Sequence, residues 1–292
     1  MNSTSALNMR VWMEKSKIKG SPISSYCDYY ENMKNIIKRM HVIIADTYKN
    51  EKTLFTFINN KDKLCEIYRQ YLKGNLQSAS NKMRNFLYSD NFLNNLINSI
   101  DKDKHLYRCR KKEGIEYEKF DYELFHVPYN KRYLLGNYRF SIPGFPCLYL
   151  SDSPECCLSE LDCNDVFCAE FTLQNTLQCY DFTFNKKYCN LPPDIFLKYF
   201  ILILFCEIQI KKTKDCDKDK AKYIPFYTIP QLVTAAIMAK KDSIRCIKYN
   251  STKFDAGINY AFFPQVPDLR KNIYYDEKLK SLFNICKYNI FY

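Results

Sequence analysis

Residues 137–163 read NYRFSIPGFPCLYLSDSPECCLSELDC, and the order of residue types in this stretch decides how the rest of the chain is read. Pro143-Gly144 marks a turn, and Leu148-Tyr149-Leu150 ends a short strand. Ser153 followed by Pro154 is a helix N-cap with proline at the first helical position, opening a short helix through Leu161. On that helix Cys157, Leu158 and Leu161 make the apolar face, which leaves other directions to Ser159 and Glu160. A compact strand, turn and helix thus bring a cation (Arg139), an aromatic (Tyr149) and a carboxylate (Glu160) into one neighbourhood. Such a set can grip an anionic, sugar-containing ligand. The same spacing is equally that of an Arg-Glu surface pair beside a core tyrosine.

Outward from this stretch, the texture after residue 105 is one of short β-type runs divided by Pro, Asp and Asn. Strands are predicted at 146–150, 166–173, 178–182, 243–249 and 258–263, with helices at about 193–211 and 229–241. Strands and helices in irregular order predict an α+β domain rather than a doubly wound parallel sheet. Residues 26–100 read as helical: Met33, Ile36, Ile37, Met40, Ile43 and Ile44 recur at helical spacing, as do Leu64, Ile67, Tyr68, Tyr71 and Leu72. The polar segment 99–104 is placed as a domain boundary, giving a helical N-terminal extension over 1–100 and a second domain over 101–292. Residues 211–222 are expected to form a charged surface loop.

Composition excludes several classes. A hydrophobic fraction of 47% and an aromatic fraction of 16% are incompatible with a disordered chain. The 6 glycines in 292 residues include neither a GxGxxG nor a GxxxxGK[ST] phosphate cradle. The N-terminus has no apolar run of signal-peptide length, and the most apolar segment, Ile195–Ile210, is broken by Lys198 and Glu207. A buried helix, a cytoplasmic location and no membrane span are therefore expected. The 14 cysteines contain no CxxC pair, and Cys156, Cys157, Cys163 and Cys168 fit no zinc spacing, so no metal is expected and the thiols are read as buried and reduced. A net charge of +12 favours anionic partners.

The quoted stretch resembles the RES domain, named for its arginine, glutamate and serine and found as the toxin of RES-Xre toxin-antitoxin pairs. Arg139, Tyr149 and Glu160 stand ten and then eleven residues apart, as in the family pattern. HLYRCR at 105–110 is similar to the family's opening strand, whose arginine is Arg108. YNSTKFDAGINYAFFP at 249–264 is similar to the closing serine segment, with Ser251, Asn259 and Pro264. The resemblance covers about 105–265. It implies an ADP-ribosyltransferase-like fold and cleavage of the nicotinamide-ribose bond of NAD with water or phosphate as acceptor, an NAD glycohydrolase or phosphorylase, with NAD as substrate and no cofactor besides.

On that resemblance Glu160 bonds the ribose hydroxyls and favours the positive charge that develops on the sugar, while Arg139 or Arg108 holds the diphosphate. Tyr149 stacks on nicotinamide, Ser251 positions ribose or Glu160, and Asn259 belongs to the same binding set. The chain departs from the family where Arg139-Phe140-Ser141 replaces an Arg-Trp-Asn segment, and Thr252 beside Ser251 leaves the functional hydroxyl open between the two. His126 reads either as a contact to the adenosine or diphosphate or as a satisfied structural histidine. Implied partners are NAD, an Xre-type antitoxin and a second copy of the chain in a homo-oligomer. The rival readings are a protein ADP-ribosyltransferase, which differs only in acceptor, a basic nucleic-acid-binding protein and a non-catalytic scaffold. No helix-turn-helix, zinc finger or RNA-binding aromatic signature supports the nucleic-acid reading.

Overall fold

The helical spacing of the N-terminal region closes into helices in the computed structural model, which describes residues 3–18, 29–112, 120–161, 165–207, 224–240, 244–265 and 274–288. They are α1 (Ser3–Ile18), α2 (Tyr29–Tyr48), α3 (Glu51–Leu72) and α4 (Leu76–Tyr88). Asn50 starts α3 by accepting from the backbone N–H groups of Lys52 and Thr53, at 2.9 and 3.4 Å. At its other end Gly74, at φ +78°, turns the chain into α4. Helix α1 has little amphipathic pattern and is held instead by polar bonds. Asn8 donates to the carbonyls of Cys189 and Leu191, at 2.9 and 3.0 Å, and accepts from the Tyr48 hydroxyl.

By contacts the described chain falls into two compact units whose segments alternate in sequence. The helical unit comprises 1–92, 137–139 and 184–236; the sheet unit comprises 93–136, 140–183 and 237–292. The units thus do not divide at residue 100. The apolar segment 193–207 is helix α7 (Pro193–Glu207), which packs on α3 in the helical unit, with every side chain from Phe196 to Cys206 buried. Among the described residues no helix is long and apolar enough to cross a membrane. Lys198 is the one cation within this apolar run. Its amine donates to the Ser89 hydroxyl at 2.7 Å and lies over the Phe92 and Phe86 rings, at 4.6 and 5.0 Å. The predicted loop at 211–222 lies outside the described residues.

Charge divides as sharply as structure does. The helical unit holds 25 Lys and Arg against 13 Asp and Glu, a net +12, whereas the sheet unit holds 19 of each and is neutral. The unit that carries Glu160 therefore has no net charge of its own, and the excess of the whole chain lies in the helical unit.

The sheet unit is built on eight strands: β1 (Ile97–Ile100), β2 (His105–Lys111), β3 (Leu148–Ser151), β4 (Val166–Leu173), β5 (Leu177–Asp181), β6 (Cys246–Asn250), β7 (Ile258–Phe262) and β8 (Phe283–Tyr288). Their order is β1-β5-β6-β7-β3-β2-β4-β8, antiparallel throughout except for the β5–β6 pair. Short helices α5 (Phe120–Glu123), α6 (Pro154–Leu161) and α9 (Glu277–Lys280) accompany it, and α8 (Thr228–Ala239) ends as the chain enters this unit. This is the α+β arrangement expected. Strand β1 falls inside the stretch whose spacing predicts helix, and β8 lies where the sequence pattern predicts no strand. Residues 97–100 are four in number and half polar, so their pairing with β5 rather than their own pattern makes them a strand.

Because side chains alternate across a strand, the sheet has two distinct faces. Leu106, Leu148, Leu150, Phe171, Tyr260 and Phe262 project to one and pack with Leu124, Phe125, Leu279 and Phe283 in the main core. On the other face α6 lays Cys157, Leu158 and Leu161 against Cys109, Cys168 and Tyr107. Asp181, fully buried at the end of β5, joins three segments. It accepts from the Thr183 N–H at 2.9 Å, the Thr183 hydroxyl and Asn98 at 3.0 Å, with the Lys248 amine at 3.6 Å.

Candidate active site

The predicted cap is present: Ser153 Oγ accepts from the Cys156 N–H at 3.1 Å, and Pro154 opens α6. The junction is latched to β7 twice, by the Asp152 N–H to the Ile258 carbonyl at 2.9 Å and by the Ile258 N–H to Asp152 Oδ1 at 3.0 Å. With the start of α6 fixed, Glu160 near its C-terminus meets β7 and the loop joining β6 to β7. Its Oε1 accepts from Ser251 Oγ at 2.8 Å and from Asn259 Nδ2 at 3.0 Å. Its Oε2 lies 4.0 Å from the Lys253 amine, which also bonds the Glu160 carbonyl, and the glutamate side chain is about one third exposed. One carboxylate oxygen is thus fixed by two donors while the other faces the accessible side.

Glu160 thus meets Ser251 and Asn259, which follow it by 91 and 99 residues. Of the two adjacent hydroxyl residues, Ser251 is 3% exposed, bonds Glu160 and accepts from the N–H groups of Lys253 and Phe254, at 3.2 and 3.0 Å. The loop passes so close to α6 that a Cβ on Gly257 would lie 2.7 Å from Cys156 Sγ. Lys253 was not foreseen; its position two residues after Ser251 in a tight turn was the available signal. Burial pushes the Cys156 thiol up to about 11, so it remains a thiol, 3.6 Å from Asn259 Oδ1.

The other expected site residues form separate constellations. β2 pairs with β3 at a single register position, Tyr107 and Ser151, and Arg108 donates to the Tyr149 carbonyl at 2.9 Å. By strand alternation Arg108 shares the main-core face with Leu106, opposite to Tyr149, Ser151 and Asn259. Tyr149 is half-buried and donates its hydroxyl to the Phe140 carbonyl. Arg139 belongs to the helical unit, where it is buried with its guanidinium bonded to the Cys206 carbonyl in the last turn of α7. It lies over the rings of Tyr227 and Phe226, at 5.3 and 5.7 Å. A cation there complements the helix C-terminus. Gln231 binds the same segment through Asn137 and the Tyr138 carbonyl.

Of the two readings open for His126, its bonding matches the structural one: it is 1% exposed on the main-core side, with Nδ1 bonded to the Val127 carbonyl at 2.8 Å and Nε2 accepting from the Asp276 N–H at 3.1 Å. Both nitrogens serve the fold, and burial lowers its pKa to about 4. A histidine depressed below its ordinary value of about 6.5 binds its proton more readily in the unfolded chain. Its contribution to stability is then complete above that value and lost as pH falls towards 4, by roughly 3 kcal/mol. Chemical denaturation between pH 7 and pH 4 is expected to show a shallower decline for His126→Asn than for wild type. Parallel curves would remove this histidine from the acid response.

None of the described cysteines forms a disulfide. Among the described residues no cluster of three or more His, Cys, Asp and Glu side chains is disposed to hold a metal; Cys163 lies outside them.

An α+β unit in which a helix-borne glutamate is held by a serine and an asparagine of a late strand segment defines the class. The RES domain model matches residues 105–281, more than half of the chain, and the protein belongs to that family. It is also 32% identical over 158 residues to a Bacillus subtilis (strain 168) protein named "Putative toxin YopC". The aligned region is 47% of this chain and 34% of that relative, so the match spans about a third of its length. No solved structure matches the chain.

Proposed function

We propose that the protein cleaves the nicotinamide-ribose bond of NAD and acts as a toxin. The observation that carries this reading is the Glu160 carboxylate, anchored through Oε1 by Ser251 and Asn259 with Oε2 towards the accessible side. NAD places a leaving group that is already cationic on a ribose. Departure of neutral nicotinamide leaves positive charge on the sugar, and the step needs little acid catalysis. A carboxylate held against that sugar stabilises the developing charge without reorganising. Water then adds at the same carbon, giving nicotinamide, ADP-ribose and a proton.

The Glu160 oxygen that faces outward would take the ribose hydroxyls, and Tyr149 would stack on nicotinamide. Membership of the RES family supports an ADP-ribosyltransferase-like arrangement, and the relative's toxin name supports the biological role. A cognate Xre-type antitoxin is the proposed partner and the cytoplasm, where NAD is available, the proposed location. Purified protein given adenylate-labelled NAD is expected to release nicotinamide and ADP-ribose in equal amounts, with the protein unlabelled. Label retained on protein would instead assign ADP-ribosyl transfer, and no nicotinamide above buffer would overturn the reading.

A further inference from the structure

Asn259 matters to Glu160 only if its amide nitrogen, not its oxygen, faces the carboxylate. An amide side chain is two-sided, and turned over it would set Oδ1 against Glu160 Oε1 and replace attraction with repulsion. Something must fix the orientation. Ser151 stands directly opposite Asn259 in the β3–β7 register, so the two side chains leave the same face of the sheet. Its hydroxyl, 4% exposed, donates to Asn259 Oδ1, and Cys156 Sγ is a weaker donor to the same oxygen at 3.6 Å. With Oδ1 occupied by donors from β3 and α6, Nδ2 is directed to Glu160.

We propose that Ser151 is a positioning residue: it orients the Asn259 amide, through which it holds Glu160 in the attitude that the NAD reaction uses. The inference rests on the NAD reading for its kinetic consequence, but the orientation of Asn259 is measurable without turnover. Ser151 touches no substrate in this scheme, so its loss acts on the chemical step and not on binding. Cys156 does not replace it, because a thiol is a weak donor and this one lies at the long end of the range.

The test is carried out on the full chain labelled with 15N-asparagine, the Asn259 side-chain amide being identified by its disappearance in Asn259→Ala. Ser151→Ala is expected to raise solvent exchange of that amide at least tenfold, whereas Ser151→Thr, which keeps the hydroxyl, stays within about twofold of wild type. In the nicotinamide-release assay Ser151→Ala should lower kcat about tenfold with KM within twofold, and Ser151→Thr should restore it. In an Asn259→Ala background Ser151→Ala should cost nothing further. Unchanged amide exchange in Ser151→Ala, or a full additional loss in the Asn259→Ala background, overturns the positioning role. Altered exchange in a protein that releases no nicotinamide would leave the positioning role standing and reject the NAD reading.

Discussion

Glu160→Gln is expected to slow nicotinamide release by about 10²–10³, the loss that follows when one preorganised electrostatic contact of about 3–4 kcal/mol is removed from a transition state. The substitution suits the test because of how Glu160 is held. Oε1 receives two donors, Ser251 Oγ and Asn259 Nδ2, and a glutamine carbonyl accepts both as the carboxylate does. The new amide nitrogen falls at the Oε2 position, beside the Lys253 amine, at an accessible edge where a donor is tolerated by water. The thermal midpoint should therefore stay within about 2 °C of wild type, so that lost activity reads as lost charge. KM should move little. Turnover within about threefold of wild type would remove Glu160 from the chemistry.

The second large effect concerns stability. Asp181→Ala is expected to destabilise the sheet unit by about 3–5 kcal/mol, the usual cost of breaking a buried ion pair from one side. Asp181 is fully buried and binds Asn98 of β1, Thr183 at the exit of β5 and Lys248 of β6. Its removal leaves an ammonium and an amide without their acceptor in the interior, whereas Asp181→Asn keeps part of the hydrogen bonding and should cost less. Urea denaturation followed by far-UV circular dichroism measures both; equal, small shifts in midpoint would show that the hub carries no net stability.

The strand–turn–helix around Glu160 was legible because its signals are local. Ser153 and Pro154 act on backbone groups within one turn, and β4 runs over the same eight residues, Val166–Leu173, that the alternation predicted. What escaped reading depends on distant partners. β8 exists because β4 pairs with it, and β1 because β5 does. Ser251 and Thr252 are chemically similar, and only the turn that folds Lys253 and Phe254 back onto Ser251 tells them apart. Ser151 carried no signal of its own, since its role comes from the register that faces it to Asn259. Arg108 and Arg139 matched the family spacing, yet strand parity and the C-terminus of α7 determine where their side chains go. The whole-chain charge hides a division for a similar reason: it averages a basic helical unit with a neutral sheet unit.

The alternation of the two units along the chain has a consequence for the newborn polypeptide. Residues 1–92 leave the ribosome first, but α7 and α8, which complete their unit, follow only after the segments 93–136 and 140–183 have been made for the other. At roughly 5–20 residues per second that interval is on the order of 10 s. Throughout it the apolar side of α3 that α7 will cover is left open, and α7 then emerges with an almost wholly apolar surface that packs chiefly on α3. Synthesis of this protein therefore includes a window in which a chaperone, or a partner already bound to the first helices, can decide whether an active molecule forms at all.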